Sequence, residues 1–197
     1  MILPVKKILD LQERKVADWH KEMVTTEQSP PWNAIEENMK WNFMLWHEED
    51  IARIPDIDPM RMVEAKRNID KYNQARNNAM EKIDEWVLSY LEANGINQGD
   101  KLHSETPGMM IDRLSIMALK KYHMAEEVVR TDVSEEHRSK CAQKVEVLKE
   151  QVADLALSLE GVFNDLEVSK LRFKVYRQFK MYNDPSLNPA LYSRDQK

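Results

Sequence analysis

A periodic stripe of apolar residues in the last third of the chain constrains the fold most strongly. Its members follow one another at alternating steps of four and three residues: Cys141, Val145, Leu148, Val152, Leu155, Leu159, Val162, Leu166, Ser169, Phe173 and Tyr176. Such steps keep side chains on one face of an α-helix. The stripe therefore predicts one long helix at about 134–182, packed against near-parallel neighbours, with Gly161 as a point where it can bend.

Four more helices are predicted upstream, at about 4–23, 33–53, 59–94 and 106–130. A pair of prolines stops the first, and an Asn-Gly pair stops the third. No segment alternates with a period of two, so essentially no sheet is expected. The predicted fold class is all-α, an elongated up-and-down helical bundle of about five helices in one domain over 1–197. The C-terminal tail holds Pro185 and Pro189 and is expected to lie extended on the bundle.

Charge and composition exclude several classes of function. The net charge is −5 and no long Lys/Arg cluster occurs, so neither nucleic acid nor an anionic membrane is an expected partner. The first residues form neither a signal peptide nor a membrane span. A single cysteine, Cys141, rules out a disulfide framework, so the cytoplasm is the expected compartment.

The second helix changes character along one face. Ile35 and Met39 begin an apolar stripe that continues into polar residues at helical spacing. The polar end supplies Asn42, Trp46, His47, Glu49, Asp50 and Arg53. These charges are either a solvated last turn or one wall of a polar site.

The third helix carries a polar row at spacings of three and four, namely Arg67, Asp70, Gln74, Asn77, Glu81 and Asp84. Such a row is usually the solvent side of an amphipathic helix. However, the segment "NIDKYNQARNN" is rich in amides, which are poor choices for an exposed helix face. The alternative is a buried hydrogen-bond network.

The fourth helix is apolar nearly all round, which predicts a central position. Asp112, Ser115 and His123 interrupt it. Asp112 lies within the first two turns, where the helix dipole favours a carboxylate. Its alternative role is to pair with an arginine of the second or third helix. A histidine such as His123 on this face is most often a hydrogen-bonded core residue.

The most economical hypothesis brings these three faces together around one polar cavity. Arg53, Arg67 and Arg113 would supply planar donors, and Gly108 would let an anion approach free N–H groups. The candidate ligand-binding residues are Trp46, His47, Glu49, Asp50, Arg53, Arg67, Asp70, Gln74, Asn77, Glu105, Gly108, Asp112, Arg113 and His123. The catalytic candidates are His47, Asp50 and Asp112.

No cofactor and no metal is expected. None of the 5 histidines follows a glutamate by three residues, which excludes the Glu-x-x-His pairs of a di-iron carboxylate site. Convergence of His47, Asp50 and His123 is the remaining route to a metal site. No P-loop, dinucleotide fingerprint or G-x-S-x-G motif is present.

Four segments resemble a known family: "WHEEDIAR" at 46–53, "KRNIDKYNQARN" at 66–77, "ETPGMMIDRLSIMALKKYHM" at 105–124 and "KMYNDPSLNPALY" at 180–192. Together they resemble the bacterial domain of unknown function 4254 family. The resemblance implies a small cytoplasmic helical protein without an established activity. Such proteins tend to be encoded near glycosyltransferases of surface polysaccharide assembly, which implies a role in glycan biosynthesis.

Three functional hypotheses follow. The first is an accessory protein that binds a polar, sugar- or phosphate-bearing small molecule in cell-surface glycan assembly. The second is an acid–base enzyme acting on a glycan intermediate, so whether the chain is an enzyme stays open. The third is a purely structural bundle with a buried polar network. A homodimer along the long fifth helix is a further expected partnership.

Overall fold

The computed structural model describes residues 2–179, 181 and 184–193. The described elements are α1 (Val5–Trp19), α2 (Trp32–Ile51), α3 (Pro59–Ala93), β1 (Lys101–Leu102), α4 (Pro107–Val129), α5 (Glu135–Glu167), β2 (Leu171–Arg172) and α6 (Pro189–Tyr192). The helices pack on one another, so the predicted all-α bundle is confirmed. None of the helices in the described residues combines the length and hydrophobicity needed to cross a membrane.

The central helix is α4, as its apolar sequence predicted. It contacts α1, α2, α3 and α5, while α2 packs mainly on α3 and α5 mainly on α4. The main hydrophobic core is built from these contacts, with Ile8, Ile35, Ile83, Ile111 and Phe163 all fully buried. Any polar side chain on the inner faces of α4 is therefore enclosed by its neighbours.

The fifth helix ends at Glu167, about fifteen residues before the predicted end near 182, and residues 180 and 182 lie outside the described part. Ser169 takes a left-handed conformation with φ 56°, and the N–H of Lys170 donates to the carbonyl of Asp165 at 2.9 Å. This pattern is a Schellman stop. The prediction was wrong because Phe173, counted as a helical position, is buried as part of an extended segment.

Two strands of two residues each are the only sheet among the described residues, in agreement with the expectation of essentially no sheet. β1 and β2 pair in parallel, with Lys101 opposite Leu171 and Leu102 opposite Arg172. The N–H of Gly99 donates to the carbonyl of Leu171 at 2.9 Å. Strands of two residues are too short to show a period-two pattern, so the sequence carried no signal for them.

The first helix ends at Trp19 instead of Met23. It ends there because buried polar side chains form hydrogen bonds with the backbone of the segment that follows. The side chains of Lys15 and Trp19 donate to the carbonyl oxygen of Val24 at 3.0 and 2.9 Å. Lys15 also forms an ion pair with Glu36 of α2 at 2.5 Å, and both side chains are buried. Neither charge was singled out from the sequence.

Residues 173–179, which the sequence predicted as part of the fifth helix, are not helical, and Arg177 and Gln178 contact α3. Arg177 donates hydrogen bonds to Glu81 at 2.8 Å and to Glu85 at 2.5 Å. Further on, Pro189 begins α6, where the prediction had only extended chain. Residues 180, 182 and 183 of the tail motif lie outside the described part.

Candidate functional site

A buried carboxylate, Asp112 of α4, is the centre of polar contacts between α2, α3 and α4. Its Oδ1 accepts hydrogen bonds from Asn38 and Asn42 at 2.8 Å each and from Arg76 Nε at 2.7 Å. Its Oδ2 accepts from Arg76 Nη2 at 2.5 Å. Asn42 also donates to Ser115 Oγ at 2.6 Å, and that hydroxyl donates to the backbone carbonyl of Asp112 at 2.7 Å. Polar side chains of three neighbouring helices therefore meet in the interior.

The pairing determines what Asp112 can do chemically. Burying a carboxylate is costly unless its charge is balanced and its oxygens are hydrogen-bonded. The two-point contact with the Arg76 guanidinium balances the charge, and the two amides complete the set. Asp112 is thus a structural acceptor that orients Arg76, and it has little freedom to act as a proton carrier. The partner is an arginine of the third helix, Arg76, and such a pairing was one of the alternatives.

A cleft of about 390 Å³ opens beside this network, between α2, α3 and α4. Its lining residues are Asn42, Leu45, Trp46, Glu49, Asp50, Arg53, Asn73, Arg76, Ile116 and Leu119. A guanidinium has five N–H donors, of which the Asp112 carboxylate engages two. Arg76 therefore presents a fixed cation with spare donors to the cleft.

A second cleft of about 660 Å³ lies between α2, α4 and α5. Its lining residues are Trp46, Asp50, Lys120, His123, Met124, Glu126, Glu127, Lys144, Val147, Leu148 and Gln151. The Trp46 indole stacks on the His123 imidazole, with ring centroids 4.8 Å apart and planes inclined by 9°. Trp46 and Asp50 line both clefts and so form a shared wall.

Gly108 does not offer a free N–H group to an anion, which corrects the prediction. Its N–H donates to Oδ1 of Asp84 of α3 at 2.7 Å. A Cβ at this position would lie 2.5 Å from the carbonyl oxygen of Met80, so glycine allows the first turn of α4 to touch the α3 backbone. Burial raises the pKa of Asp84 to about 6, although hydrogen bonds from Thr106 and Gly108 lower it. The predicted anion position is occupied by a carboxylate of the chain itself.

Several predicted residues form an ion pair or a hydrogen bond with a residue close in the sequence. These pairs are Glu49–Arg53, Lys66–Asp70, Gln74–Asn78 and Glu105–Arg113. Arg67 is exposed and Asn77 is half-buried. Arg67, Asp70, Gln74 and Asn77 line neither of the two clefts. The predicted residues are therefore divided among separate places: Glu49 and Arg53 line the smaller cleft, Glu105 and Arg113 line a third cleft of about 740 Å³ between α4 and α5, and the polar row of α3 lies outside all three.

Three histidines come together beside Trp46. The ring centroids of His20 and His47 are 5.2 Å apart, those of His20 and His123 are 5.0 Å apart, and those of His47 and His123 are 5.7 Å apart. One ring nitrogen of each lies within 4.8 Å of the others. Burial lowers the pKa of His123, although Glu126 raises it, and the lowered pKa favours the neutral imidazole. The grouping expected from the sequence contained Asp50 in place of His20.

The sequence analysis missed Asn38, Arg76 and His20. Asn38 precedes Asn42 by four residues, so an amide pair on one helix face was an available signal. Arg76 lies inside the amide-rich segment of α3 and carried no separate signal. His20 caps the C-terminal end of α1, past the end of its apolar stripe, and only the tertiary packing brings it to α2 and α4.

Comparison with known proteins gives one family match. Residues 32–175 match the family described as "Protein of unknown function (DUF4254)". The chain belongs to the DUF4254 family. The part that matches DUF4254 includes Asn38, Arg76 and Asp112, whereas α1 with His20 lies before it. No curated protein and no solved structure matches the chain.

Proposed function

We propose that this DUF4254 protein is a cytoplasmic accessory protein of cell-surface glycan biosynthesis that binds a hydroxyl-rich small molecule beside Trp46. The observation that carries the proposal is the position of Trp46 in the wall shared by two clefts. A sugar ring has apolar faces that pack on an indole and hydroxyl groups that need polar partners. Binding sites commonly combine one such aromatic surface with a few fixed polar groups.

The polar groups around Trp46 have the chemistry that such a ligand requires. Asp50 supplies a carboxylate that accepts from hydroxyl groups, and Asn73 supplies an amide that both donates and accepts. Arg76 supplies a cation held in place by Asp112, suited to a phosphate or carboxylate of the ligand. Lys120 adds a second cation in the larger cleft. A sugar phosphate or nucleotide sugar combines all of these features, and the glycan role is further supported by the family resemblance.

The test measures binding of nucleotide sugars, sugar phosphates and free sugars by thermal shift, followed by isothermal titration calorimetry of any hit. Trp46→Ala is expected to weaken binding at least tenfold, because the apolar platform is lost. Trp86→Ala is the matched control, since Trp86 is also half-buried and stacked on an aromatic ring, that of Tyr90, but lies away from both clefts. The absence of any binder, or equal affinities of the two variants, would contradict the proposal.

The acid–base enzyme is the second candidate, and the position of Asp50 in both clefts favours it. Asp112 is an unsuitable proton carrier because its oxygens are occupied, so His47 and Asp50 would act. Asp50→Asn then removes turnover of a bound glycan intermediate by orders of magnitude, whereas a binding protein loses only a modest factor in affinity.

A further inference from the structure

We propose that His20, His47 and His123 form a binding site for one divalent transition-metal ion, with Zn²⁺ as the expected occupant. The three residues come from the C-terminal end of α1, from α2 and from α4. This site adjoins the proposed sugar site, because His123 lines the larger cleft and stacks on Trp46, but the proposal does not depend on sugar binding. Neither the family description nor the predicted set of residues assigns a metal to this chain.

Hydrogen bonds fix which nitrogen carries the proton in the neutral form of each of the three rings. Nδ1 of His20 contacts the carbonyl oxygen of Val16 at 2.7 Å, and Nδ1 of His47 contacts that of Phe43 at 2.9 Å. A carbonyl oxygen only accepts, so both Nδ1 atoms carry the proton and donate it. Nδ1 of His123 likewise donates to a carboxylate oxygen of Glu126 at 2.9 Å. A neutral ring protonated at Nδ1 has its lone pair on Nε2, which is the form that binds a metal ion.

Two of the three Nε2 atoms have no hydrogen-bond partner among the described residues. They belong to His20 and His123, and both are buried. A buried acceptor without a partner costs about 1–3 kcal/mol. Two such acceptors in a group of three imidazoles are explained if a cation lies between them.

The surroundings hold the rings in place for this task. Tyr122 stacks on His20 with centroids 4.4 Å apart, and Trp46 stacks on His123. Phe43 packs against His20 and His47 at 4.9 and 4.4 Å. Nitrogens bound to one tetrahedral Zn²⁺ lie about 3.3 Å apart, from Zn–N distances of about 2.0–2.1 Å. The ligand nitrogens lie within 4.8 Å of one another, so metal binding requires them to approach by up to about 1.5 Å.

The donor set selects the kind of ion. Three imidazoles suit Zn²⁺, Co²⁺, Ni²⁺ and Cu²⁺ and do not suit Mg²⁺ or Ca²⁺, which prefer oxygen ligands. Glu126 behind His123 forms the carboxylate–histidine contact that commonly orients a ligand imidazole. Three protein ligands leave the fourth position to water or to an anion, which is the arrangement of catalytic zinc sites.

The experiment uses the untagged full chain, freed of metal with a chelator and dialysed. Zn²⁺ binding is measured by calorimetry, and Co²⁺ binding by the visible absorption of a tetrahedral complex. We expect one ion per chain and a higher melting temperature with Zn²⁺. His123→Ala is expected to weaken Zn²⁺ binding at least 100-fold, and His47→Phe, which keeps an aromatic ring in the cluster, is expected to do the same.

His103→Ala is the matched control. His103 is also half-buried, and its Nδ1 contacts the carbonyl oxygen of Glu105 at 2.6 Å, but it has no histidine neighbour among the ring contacts. This variant is expected to bind Zn²⁺ as the wild type does. The proposal is overturned if the wild type binds less than one ion per chain, if His103→Ala weakens binding as much as His123→Ala, or if the folded His47→Phe variant binds like the wild type.

Discussion

At the scale of single residues, two buried carboxyl groups have pKa values that their surroundings shift in opposite directions. Burial dominates at Asp84 and raises its pKa, so the ionised form is disfavoured in the folded state. At Glu36 burial also raises the pKa, but Lys15 and the N–H groups of Glu27 and Thr26 outweigh it and the pKa falls below its ordinary value. The two carboxylates therefore contribute opposite dependences of stability on pH.

The Asp84 effect is measurable. With a pKa of about 6 in the folded chain, and about 3.9 in an unfolded chain, the folded state holds its proton more tightly. The free energy of unfolding therefore falls by roughly 3 kcal/mol in all as the pH rises from below about 3 to above about 7, and about 2 kcal/mol of this fall lies between pH 4.5 and 7.5. Asp84→Asn keeps an oxygen for the Gly108 N–H and removes this fall. Urea denaturation at pH 4.5 and 7.5 measures it.

Asp70→Asn is the control for this measurement, since Asp70 lies on the same helix at the surface. It should retain the wild-type difference between the two pH values. If Asp84→Asn also retains that difference, the buried carboxyl does not titrate as described.

At the scale of helices and connections, the buried Lys15–Glu36 ion pair and its hydrogen bonds hold the segment that follows α1. Much of this level was predictable: the Asn-Gly stop after α3 is present, with Gly95 at φ 67°, and Thr106 caps α4. The end of α5 was not predictable, because a serine takes the left-handed position that usually holds glycine. The end of α1 was not predictable either, because it depends on Glu36 of another helix.

Replacing Lys15 tests the contribution of the pair. Lys15→Met leaves the Glu36 carboxylate buried without its cation and is expected to lower the free energy of unfolding by about 3–5 kcal/mol. Adding Glu36→Gln should restore part of this loss, because glutamine still accepts from the Thr26 N–H. Lys6→Met removes an exposed pair with Asp10 on the same helix and should change stability by less than about 0.5 kcal/mol. Chemical denaturation of the wild type and the three variants measures these free energies of unfolding. Equal losses of stability in Lys15→Met and Lys6→Met would refute the expectation.

At the scale of the whole molecule, the Asp112 network joins three helices that the hydrophobic core alone would leave freer to shift. The sequence predicted that polar side chains of α2, α3 and α4 would meet, but spacing along single helices does not determine which of them face one another. Arg76 and Asn38 were therefore missed, while Arg67 and Asp70 were predicted for the site and lie at the surface. The homodimer along α5 remains a prediction, and the stripe from Leu155 to Leu166 is already buried against its own chain.

Arg76 allows the structural and binding hypotheses to be separated. Arg76→Met leaves the Asp112 carboxylate without its balancing cation and is expected to destabilise the fold by about 3–5 kcal/mol. Arg67→Met, an exposed control on the same helix, should change stability by less than about 0.5 kcal/mol. Under the binding hypothesis, Arg76→Met also weakens a phosphate-bearing ligand at temperatures where the variant is folded. Unchanged affinity there would leave Arg76 with a purely structural role.

The parallel contact between β1 and β2 has a consequence for how the chain is organised. Gly99 approaches Lys170 so closely that a Cβ would lie 2.3 Å from the Lys170 carbonyl carbon, and the strands beyond it join residues 101 and 171. The segment before α4 is thus hydrogen-bonded to the segment after α5, so the two open ends of the α4–α5 hairpin are held together. Its two helices are consequently tethered at both ends, and a displacement of α5 must carry α4, with Asp112 and His123, along with it.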